Sequence, residues 1–485
     1  MMDKVEGRGN VLWMNSEGKG QAKMMNRGRH REPVRALNMC ALLSAFVCAF
    51  ILFAALPAST HSTDLHQFTG ASTDLPQFTL QIYGNANEDD TIDMRDVTYI
   101  KLVIFGKKHE TKFCDANYDG RVSMLDVVQT KLIIVGKEAK LTIVDNAERI
   151  VTLKKPIERI VMLSTDSAEV LRAIGVTDKI IGVDDYLAKQ TIYFPEFTKL
   201  PTVGSCFHPD WEAILSLKPD IVFAYSSALS YFGDIPETLD IPIVGFSACK
   251  IYQRDVQLRE IGYIVGNVEG AEELIEFYHS ITDPIAQKTE EISEEKKPRV
   301  YIECYKNYRA RTSRSGSHPM CVIAGGINIG ADLPGEGTTA EIDPEWLIKR
   351  NPDIIVKVVS HGKASCGYGE DDPTEMEALR EEIMNRPGLS NVNAVKNNKV
   401  YLLAVDICDR SSNSLGVAYL AKWFHPELFE DLDPEAIHQE YLTRFQSLDY
   451  NLDEHGVFVY PPIIKGKGKL AGIPDRYYDS IVAQP

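Results

Sequence analysis

The sequence lacks the short motifs by which many enzymes are identified. It contains no phosphate-binding P-loop, no GxGxxG, no HExxH and no GxSxG in a suitable context of strands and helices. No two cysteines form a CxxC pair, so no cysteine-based metal site is indicated. These absences favour a protein that is not an enzyme.

Positive charge is scarce outside the amino-terminal tail. The 485 residues include 52 Lys and Arg against 69 Asp and Glu, a formal net charge of −17, which argues against nucleic acid as a partner. Residues 1–37 hold eight basic and four acidic side chains, so this tail carries +4 and the remainder −21. A chain of this length has enough material for two or three domains.

Cysteine is infrequent, and its number restricts disulfide formation. Two of the nine cysteines, Cys40 and Cys48, lie in an apolar run. The seven others are odd in number, which excludes complete internal pairing and leaves any single disulfide open. They are Cys114, Cys206, Cys249, Cys304, Cys321, Cys366 and Cys408.

One long apolar run follows the basic tail. No charged residue occurs between Arg35 and His61, and about 20 apolar residues span a bilayer. We predict a transmembrane signal anchor at residues 38–57, with residues 1–37 in the cytoplasm and the rest on the extracytoplasmic face. The alternative is a cleaved signal peptide with a cleavage site at residues 56–58, which would give a secreted protein.

Two short repeats follow the apolar run. Residues 62–69 are repeated at 72–79, and this polar stretch predicts a linker over residues 58–79. An acid-rich segment at residues 85–96 recurs at 115–126. Each acid-rich copy has oxygen-bearing side chains at positions 1, 3, 5, 9 and 12, which is the spacing of an EF-hand calcium loop.

Calcium binds six to eight oxygen atoms, so we predict one ion in each acid-rich loop. Gly120 provides the sharp turn of the second loop, whereas Asp90 replaces glycine in the first, so the second loop is predicted to bind more tightly. The alternative is two acidic turns without metal. The predicted ligands, with position 7 acting through its carbonyl, are Asn85, Asn87, Asp89, Thr91, Asp93, Asp96, Asp115, Asn117, Asp119, Arg121, Ser123 and Asp126.

Each loop ends in Asp and is followed by one helical segment. In these respects residues 84–137 resemble a dockerin, the two-loop calcium module that binds cohesin domains. The resemblance implies a small all-α module, which we delimit as residues 80–138, and a cohesin-like partner. The partner-reading positions would be residues 94–95 and 124–125.

A longer unit also occurs twice. Residues 211–224 and 344–357 each contain a Glu that is followed seven positions later by Pro-Asp. Each copy predicts an amphipathic helix, a turn and a buried parallel strand. Two copies so far apart indicate two similar α/β lobes, and a cleft between lobes commonly holds a small ligand.

We place the first lobe at residues 139–270 and the second at 298–460. Apolar positions predict a long helix at 271–297 between them, with a tail at 461–485. The predicted fold is therefore α/β, with two Rossmann-like lobes joined by a long rigid helix and a small module in front.

Three features give residues of about 143–455 a family resemblance: residues 160–169, the two Pro-Asp units and residues 324–329. The region resembles the periplasmic-binding-protein family that serves ABC importers of iron chelates, haem and cobalamin. The resemblance implies an ABC permease as partner and a metal chelate (a ferric siderophore, haem or cobalamin-like compound) as ligand. It also implies that Glu212 and Glu345 dock on arginines of the permease.

Aromatic and basic residues are grouped where the cleft is predicted. Arginine binds carboxylates in a bidentate manner, and tyrosine offers a flat surface with a hydroxyl group. This pattern suits an anionic chelate or a tetrapyrrole with carboxylates, unless the arginines pair with nearby acids. The predicted ligand-binding residues are Tyr186, Cys206, Phe207, Tyr225, Tyr231, Tyr305, Tyr308, Arg309, Arg311, His361 and Arg410.

The sequence thus predicts an extracytoplasmic solute-binding component of an ABC importer for a metal chelate. The alternative is a cell-surface scaffold protein that acts through its dockerin-like module, and an enzyme is the third possibility.

Overall fold

The computed structural model describes residues 78–232, 240–248, 250–335 and 337–483. The anchor predicted at residues 38–57 and most of the predicted linker lie outside these ranges. Within them, no helix combines the length and the apolar character needed to cross a membrane.

The acid-rich repeat forms two helices, α1 (Met94–Ile104) and α2 (Met124–Ile134), each directly behind its loop. Both begin with a capping box, in which the Asp at loop position 12 accepts a hydrogen bond from the backbone N–H of the N-cap residue. Val97 and Ile100 of α1 pack against Val127 of α2 in a small shared core. The two helices therefore begin with the same local interactions.

The first lobe is built on a parallel sheet of four strands in the order β4-β3-β7-β8. An antiparallel hairpin of β1 and β2 precedes this sheet, and β5 and β6 form a second short hairpin. The elements are β1 (Lys140–Val144), β2 (Ile150–Lys154), β3 (Ile160–Leu163), α3 (Thr165–Ala173), β4 (Ile180–Val183), β5 (Gly204–Ser205), β6 (His208–Pro209), α4 (Trp211–Leu217), β7 (Ile221–Tyr225), β8 (Ile243–Phe246) and α5 (Ile251–Val265).

Helix α6 (Val268–Glu290) leads from the first lobe to the second. Its buried face includes Leu274, Phe277, Ile281 and Ile285, which recur at helical spacing. Pro284 lies within the helix. The apolar stripe seen in the sequence is therefore the face by which α6 packs on the core.

The second lobe has a mixed sheet in the order β12-β10-β9-β13-β14-β15, and β11 pairs with β9. Strands β9, β13 and β14 are parallel. The elements are β9 (Arg299–Glu303), β10 (Arg309–Arg311), α7 (Ser317–Ile323), β11 (Ile327–Asn328), β12 (Thr339–Glu341), α8 (Pro344–Arg350), β13 (Ile354–Val359), α9 (Thr374–Met384), α10 (Asn393–Lys396), β14 (Val400–Ala404), α11 (Ser414–Phe424), α12 (Pro434–Glu440), β15 (Val459–Tyr460), β16 (Ile463–Gly466), β17 (Lys469–Ala471) and α13 (Tyr478–Val482).

The duplicated sequence unit has the same local structure in both lobes. Helices α4 and α8 each begin behind an Asp cap and end in a left-handed residue, Lys218 (φ 50°) or Asn351 (φ 46°). The Asp of each Pro-Asp pair donates its backbone N–H to a backbone carbonyl at 2.8 Å, that of Arg159 just before β3 or that of Arg299 at the start of β9. The repeat therefore links the end of each helix to an internal strand of its sheet.

Residues 461–485 were expected to form a tail, yet β16 and β17 make a hairpin against the second lobe. Leu470 and Ile473 are buried, and the backbone N–H of Phe458 donates to the carbonyl of Gly472 at 2.8 Å. The burial of these two apolar side chains explains why the segment folds back onto the lobe.

The acid-rich module is packed against the first lobe. Leu80, Ile82 and Ile92 belong to the main core rather than to the core of the module. The backbone N–H of Ile92 donates to the Tyr263 hydroxyl at 3.2 Å, and Arg259 Nη1 lies 2.8 Å from Asp90 Oδ2. The module thus shares part of its core with the lobe.

Candidate ligand-binding site

The two lobes meet at a buried cluster of charged residues. Helix α3 begins directly after β3 and carries Glu169, while the segment after β14 carries Asp406 and Arg410. Arg410 Nη2 lies 2.7 Å from Asp406 Oδ1, and Arg410 Nη1 lies 3.6 Å from Glu169 Oε2 of the other lobe. Ligands of open α/β sheets commonly bind beyond the carboxyl ends of the strands, where this cluster lies.

Aromatic residues of both lobes surround the cluster. The rings of Tyr193 and Tyr368 stack across the lobes with centroids 4.2 Å apart. Tyr186 is 42% exposed. Burial raises the pKa values of Tyr186 and Tyr225, and the nearby charge of Arg410 opposes this shift in both. The charge of Arg410 therefore acts on both hydroxyl groups.

His361 extends the cluster toward solvent. Its Nε2 lies 3.2 Å from Asp406 Oδ2, and its Nδ1 is 3.1 Å from the carbonyl oxygen of Cys366. The hydrogen bond to Asp406 raises the pKa of His361. The imidazole is thus held at the edge of the cluster with part of its surface free.

The arginines of the predicted cleft have partners inside the protein. Arg311 forms an ion pair with Asp409, and its guanidinium carbon lies 5.7 Å from the centre of the Tyr305 ring. Arg309 is part of β10, and its Nε donates to the Thr339 hydroxyl at 2.9 Å. Together with the pairing of Arg410, these contacts leave little unpaired positive charge in the cleft.

The other predicted ligand residues occupy different positions. Phe207 and Tyr231 are exposed on the first lobe, and their rings meet edge to face at 5.6 Å. Cys206 is half-buried, and burial followed by the charge of Asp184 raises its pKa. Tyr308 has a positive φ of 54° and donates its backbone N–H to Glu303 at 2.7 Å. No contact connects Phe207 or Tyr231 to the Arg410 cluster within the described part of the chain.

The carboxylates of the cluster were missed by sequence reasoning. Asp166 and Glu169 lie in the segment that carries the family resemblance, whereas Asp406 and Asp409 lie just before Arg410. For Asp406 and Asp409 the sequence did contain a signal, because both acids lie close in sequence to Arg410, a predicted cleft arginine. For Glu169 it contained no such signal, because this partner of Arg410 comes from the other lobe.

The second acid-rich loop is folded around its carboxylates. Asp115 accepts hydrogen bonds from the backbone N–H groups of Asp119 (3.0 Å) and Gly120 (2.8 Å), and Gly120 has φ 88°. Asp126 accepts from Asn117 (3.1 Å) and from Ser123 (2.7 Å). Arg121 donates its backbone N–H to Asp119 at 3.1 Å, which closes the loop.

The first loop differs because its side chains pair within the protein. Arg95 lies 3.0 Å from Asp89 and 2.8 Å from Asp93. The side-chain amide of Asn85 donates to the carbonyl oxygens of Leu80 and Asp89. Over the ranges that the structure describes, no group of three or more His, Cys, Asp and Glu side chains is arranged to hold a metal ion.

The two glutamates of the duplicated unit are exposed. Glu212 lies in the first turn of α4, and Glu345 lies in the first turn of α8. Both helices bury the apolar residue two positions later, Ile214 or Leu347, and turn the glutamate outward. The two acids therefore occupy equivalent positions on the two lobes.

Comparisons with known proteins agree with this architecture. A sequence model of the family described as periplasmic binding protein matches residues 160–406, just over half of the chain. YvrC of Bacillus subtilis, an uncharacterized ABC transporter substrate-binding lipoprotein, is 28% identical over 302 residues, which cover 60% of this chain and 87% of YvrC. The molybdate-binding protein MolA of Haemophilus influenzae is 24% identical over 344 residues, covering 64% of this chain and 92% of MolA.

A solved structure shows the same fold. The TroA-like periplasmic binding protein FepB of Veillonella parvula has a TM-score of 0.55 and 27% identity, covering 66% of this chain and 98% of that protein. These matches support the predicted solute-binding function, whereas they do not extend to the dockerin resemblance. By its match over residues 160–406 and its fold, the chain belongs to the periplasmic binding protein family.

Proposed function

We propose that this chain is the extracytoplasmic solute-binding component of an ABC importer and that it captures a metal chelate between its lobes. The observation that carries the proposal is the buried cluster in which Arg410 pairs with acids of both lobes. A site assembled from both lobes fits a ligand held in the cleft. The cell membrane would hold the protein through residues 38–57, or the protein would be released if that segment is cleaved.

Six of the predicted ligand residues would line the site under this proposal. Their burial, nearby charges or ring contacts with the cluster and its ion pairs support this assignment. Phe207, Tyr231 and Cys206 would form an outer rim on the first lobe, and Tyr308 and Arg309 would support the loop that carries Tyr305. The six are Tyr186, Tyr225, Tyr305, Arg311, His361 and Arg410.

A binding titration tests the function. We expect one ligand among ferric siderophores, haem and cobalamin to bind the full-length chain in detergent with micromolar affinity or better. Tyr186→Ala should weaken that ligand about tenfold, or ~1.4 kcal/mol, because exposed aromatic contact area is lost. Tyr118→Ala removes an exposed ring of the acid-rich module and should leave affinity unchanged. Absence of binding across the panel would contradict the proposal.

We expect Glu212 and Glu345 to act in docking on the permease. Both are exposed, so Glu212→Ala and Glu345→Ala should change the free energy of unfolding by less than about 0.5 kcal/mol. Ligand affinity should also stay unchanged, while uptake through the reconstituted permease falls. Uptake of the two variants is compared with that of Glu341→Ala, which removes an exposed acid from β12 of the same lobe as Glu345. Weaker ligand binding with normal uptake would show that the roles are assigned wrongly.

A second candidate function is calcium-dependent recognition through the acid-rich module, as in a cell-surface scaffold protein. The loop around Gly120 favours calcium binding. Burial raises the pKa of Asp126, and the negative charges of Asp115 and Asp119 raise it further. A bound cation would relieve the repulsion among these three carboxylates. In the first loop, calcium would have to displace Arg95 from Asp89 and Asp93, so we expect weaker binding there. Exposed Met94, Met124 and Leu125 would face a cohesin-like partner.

Calcium titration of the full-length chain tests this second candidate. A dissociation constant of roughly 0.1–1 mM is usual for extracellular calcium modules. Binding at 0.1 mM would add about 2.7 kcal/mol to the free energy of unfolding at 10 mM calcium. Asp126→Ala should abolish this gain, and Asp96→Ala in the other loop should preserve most of it. Equal stability of the native chain in calcium and in chelator would show that the loops are acidic turns.

A further inference from the structure

One carboxyl group at the base of the cleft has no partner. Asp166 is the second residue of α3 and is 7% exposed. Its side chain forms no hydrogen bond or ion pair with any residue in the described ranges, whereas Glu169, Asp406 and Asp409 all pair with arginines or other donors. Although the residue is largely buried, its two carboxyl oxygens stay open to solvent, so a ligand that reaches them can donate a hydrogen bond.

The position of Asp166 points to the ligand site. Residue 166 follows β3 and lies between Thr165 and Ser167, whose backbone N–H groups donate to the Tyr225 hydroxyl and to Ser164 Oγ. Two of the amides at the start of α3 are therefore already occupied and are unavailable to an anion. The pKa of Asp166 is raised to about 7, mainly by burial; the charges of Glu169 and Asp409 also raise it, and the charge of Arg410 lowers it.

The charge balance of the cluster also disfavours an anion. Four carboxyl groups (Asp166, Glu169, Asp406 and Asp409) face two guanidinium groups (Arg311 and Arg410), and both arginines are paired. Arg172, which also lies against the Tyr193 ring, is paired with Glu196 and adds no net positive charge. A ligand carboxylate would have to break one of these pairs and leave a buried acid without its cation. Even if His361 is protonated, three positive groups would face four carboxyl groups.

We propose that Asp166 anchors a cationic or hydrogen-bond-donating group of the ligand, so that the cleft selects cationic and neutral chelates over anionic ones. This inference rests on the proposed solute-binding function and defines its substrate class. A hydrogen bond between a carboxylate and an ammonium group is charge-assisted and about twice as strong as a neutral one. An anionic chelate would instead meet the excess of carboxylates in a cleft that water and salt screen poorly.

Ligands that share a metal centre but differ in net charge test the inference. Ferrioxamine B carries one ammonium group, its N-acetyl form is neutral and its N-succinyl form is anionic, while the ferric centre is the same in all three. Aquocobalamin, cyanocobalamin and a cobalamin monocarboxylic acid make a second series of this kind. Affinities are measured by calorimetry on the full-length chain at low and at physiological ionic strength.

We expect the native chain to bind the cationic member of a series at least tenfold more tightly than the anionic member. Asp166→Asn should reduce this ratio to less than about threefold. Asp178→Asn removes an exposed acid at the opposite end of the first sheet and should leave the ratio unchanged. The ratio in the native chain is informative even if the Asp166 variant folds poorly.

Two results separate the inference from the function on which it rests. If the anionic members bind most tightly, the proposed selectivity is wrong but the solute-binding function stands. The same holds if a folded Asp166→Asn chain keeps the ratio of cationic to anionic affinity seen in the native chain. Absence of binding to both series and to haem would overturn the solute-binding function together with the inference.

Discussion

Glu303→Ala is expected to lower the free energy of unfolding by about 3–5 kcal/mol, because it removes the anion from a buried ion cluster. Glu303 lies in β9, and its carboxylate is 2.8 Å from Lys357 Nζ and 2.8 and 3.0 Å from the two terminal nitrogens of Arg386. Glu303 and Lys357 have no exposed side-chain surface. The substitution therefore leaves two buried cations without a counter-charge.

The same cluster holds the loop between β9 and β10. Lys357 Nζ donates to the carbonyl oxygen of Cys304 at 2.7 Å, and Glu303 accepts the backbone N–H of Tyr308. Loss of Glu303 should thus also loosen the loop that carries Tyr305. Urea unfolding followed by tryptophan fluorescence measures the stability, and Glu341→Ala, at the exposed end of β12, is the control. A loss below 1 kcal/mol in Glu303→Ala would contradict the expectation.

The effect of Glu303 should depend on pH. Burial alone would raise the pKa of Glu303, but the hydrogen bond from Arg386 and the charge of Lys357 lower it below its ordinary value. A carboxyl group with a depressed folded-state pKa stabilises the fold above its unfolded pKa of about 4.3, and the stabilisation is lost as pH falls through the folded value. The difference between native and variant chains should be constant from pH 7 to pH 5 and shrink below pH 4.

Arg410→Met is expected to cost about 3–5 kcal/mol of unfolding free energy and to abolish ligand binding. The arginine is buried between the lobes, and its removal leaves Glu169 and Asp406 without the cation that they share. Methionine has a similar apolar stem, so the loss reports the charge rather than the volume of the side chain.

Arg309→Met is the matched control for Arg410. Arg309 is only half-buried and donates to the neutral Thr339 hydroxyl, so its loss should cost about 1 kcal/mol. Denaturation and ligand titration of the two variants are performed side by side. Equal losses in both, or full ligand affinity in Arg410→Met, would show that the inter-lobe ion pairs are unimportant.

Other buried hydrogen bonds also join the lobes. Arg254 of α5 donates to Asn413 at 3.1 Å and to Ser414 at 2.7 Å, beside the start of α11. Arg172 of α3 donates to Gln446 at 2.7 Å. Separation of the lobes would leave these buried donors unpaired, which is costly. These contacts therefore oppose movement of the two lobes away from each other.

The sequence by itself determined the two-lobed plan. The duplicated unit with its Pro-Asp pair predicted helices α4 and α8 and the strands that follow them, because caps, turns and apolar periodicity act over a few residues. The apolar stripe of α6 was readable for the same reason. Family membership followed from these local patterns and from the match over residues 160–406.

Only the tertiary structure decided the chemistry of the cleft. Glu169 and Arg410 are far apart in the chain, and their pairing depends on how two folded lobes meet. The same holds for Asp90, which contacts Arg259 of the first lobe. Local patterns identify charged residues but not their distant partners. They could therefore predict arginines in the cleft and raise the possibility of pairing with nearby acids. They could not predict that Glu169 of the other lobe is a partner of Arg410, or that Asp166 has no partner among the described residues.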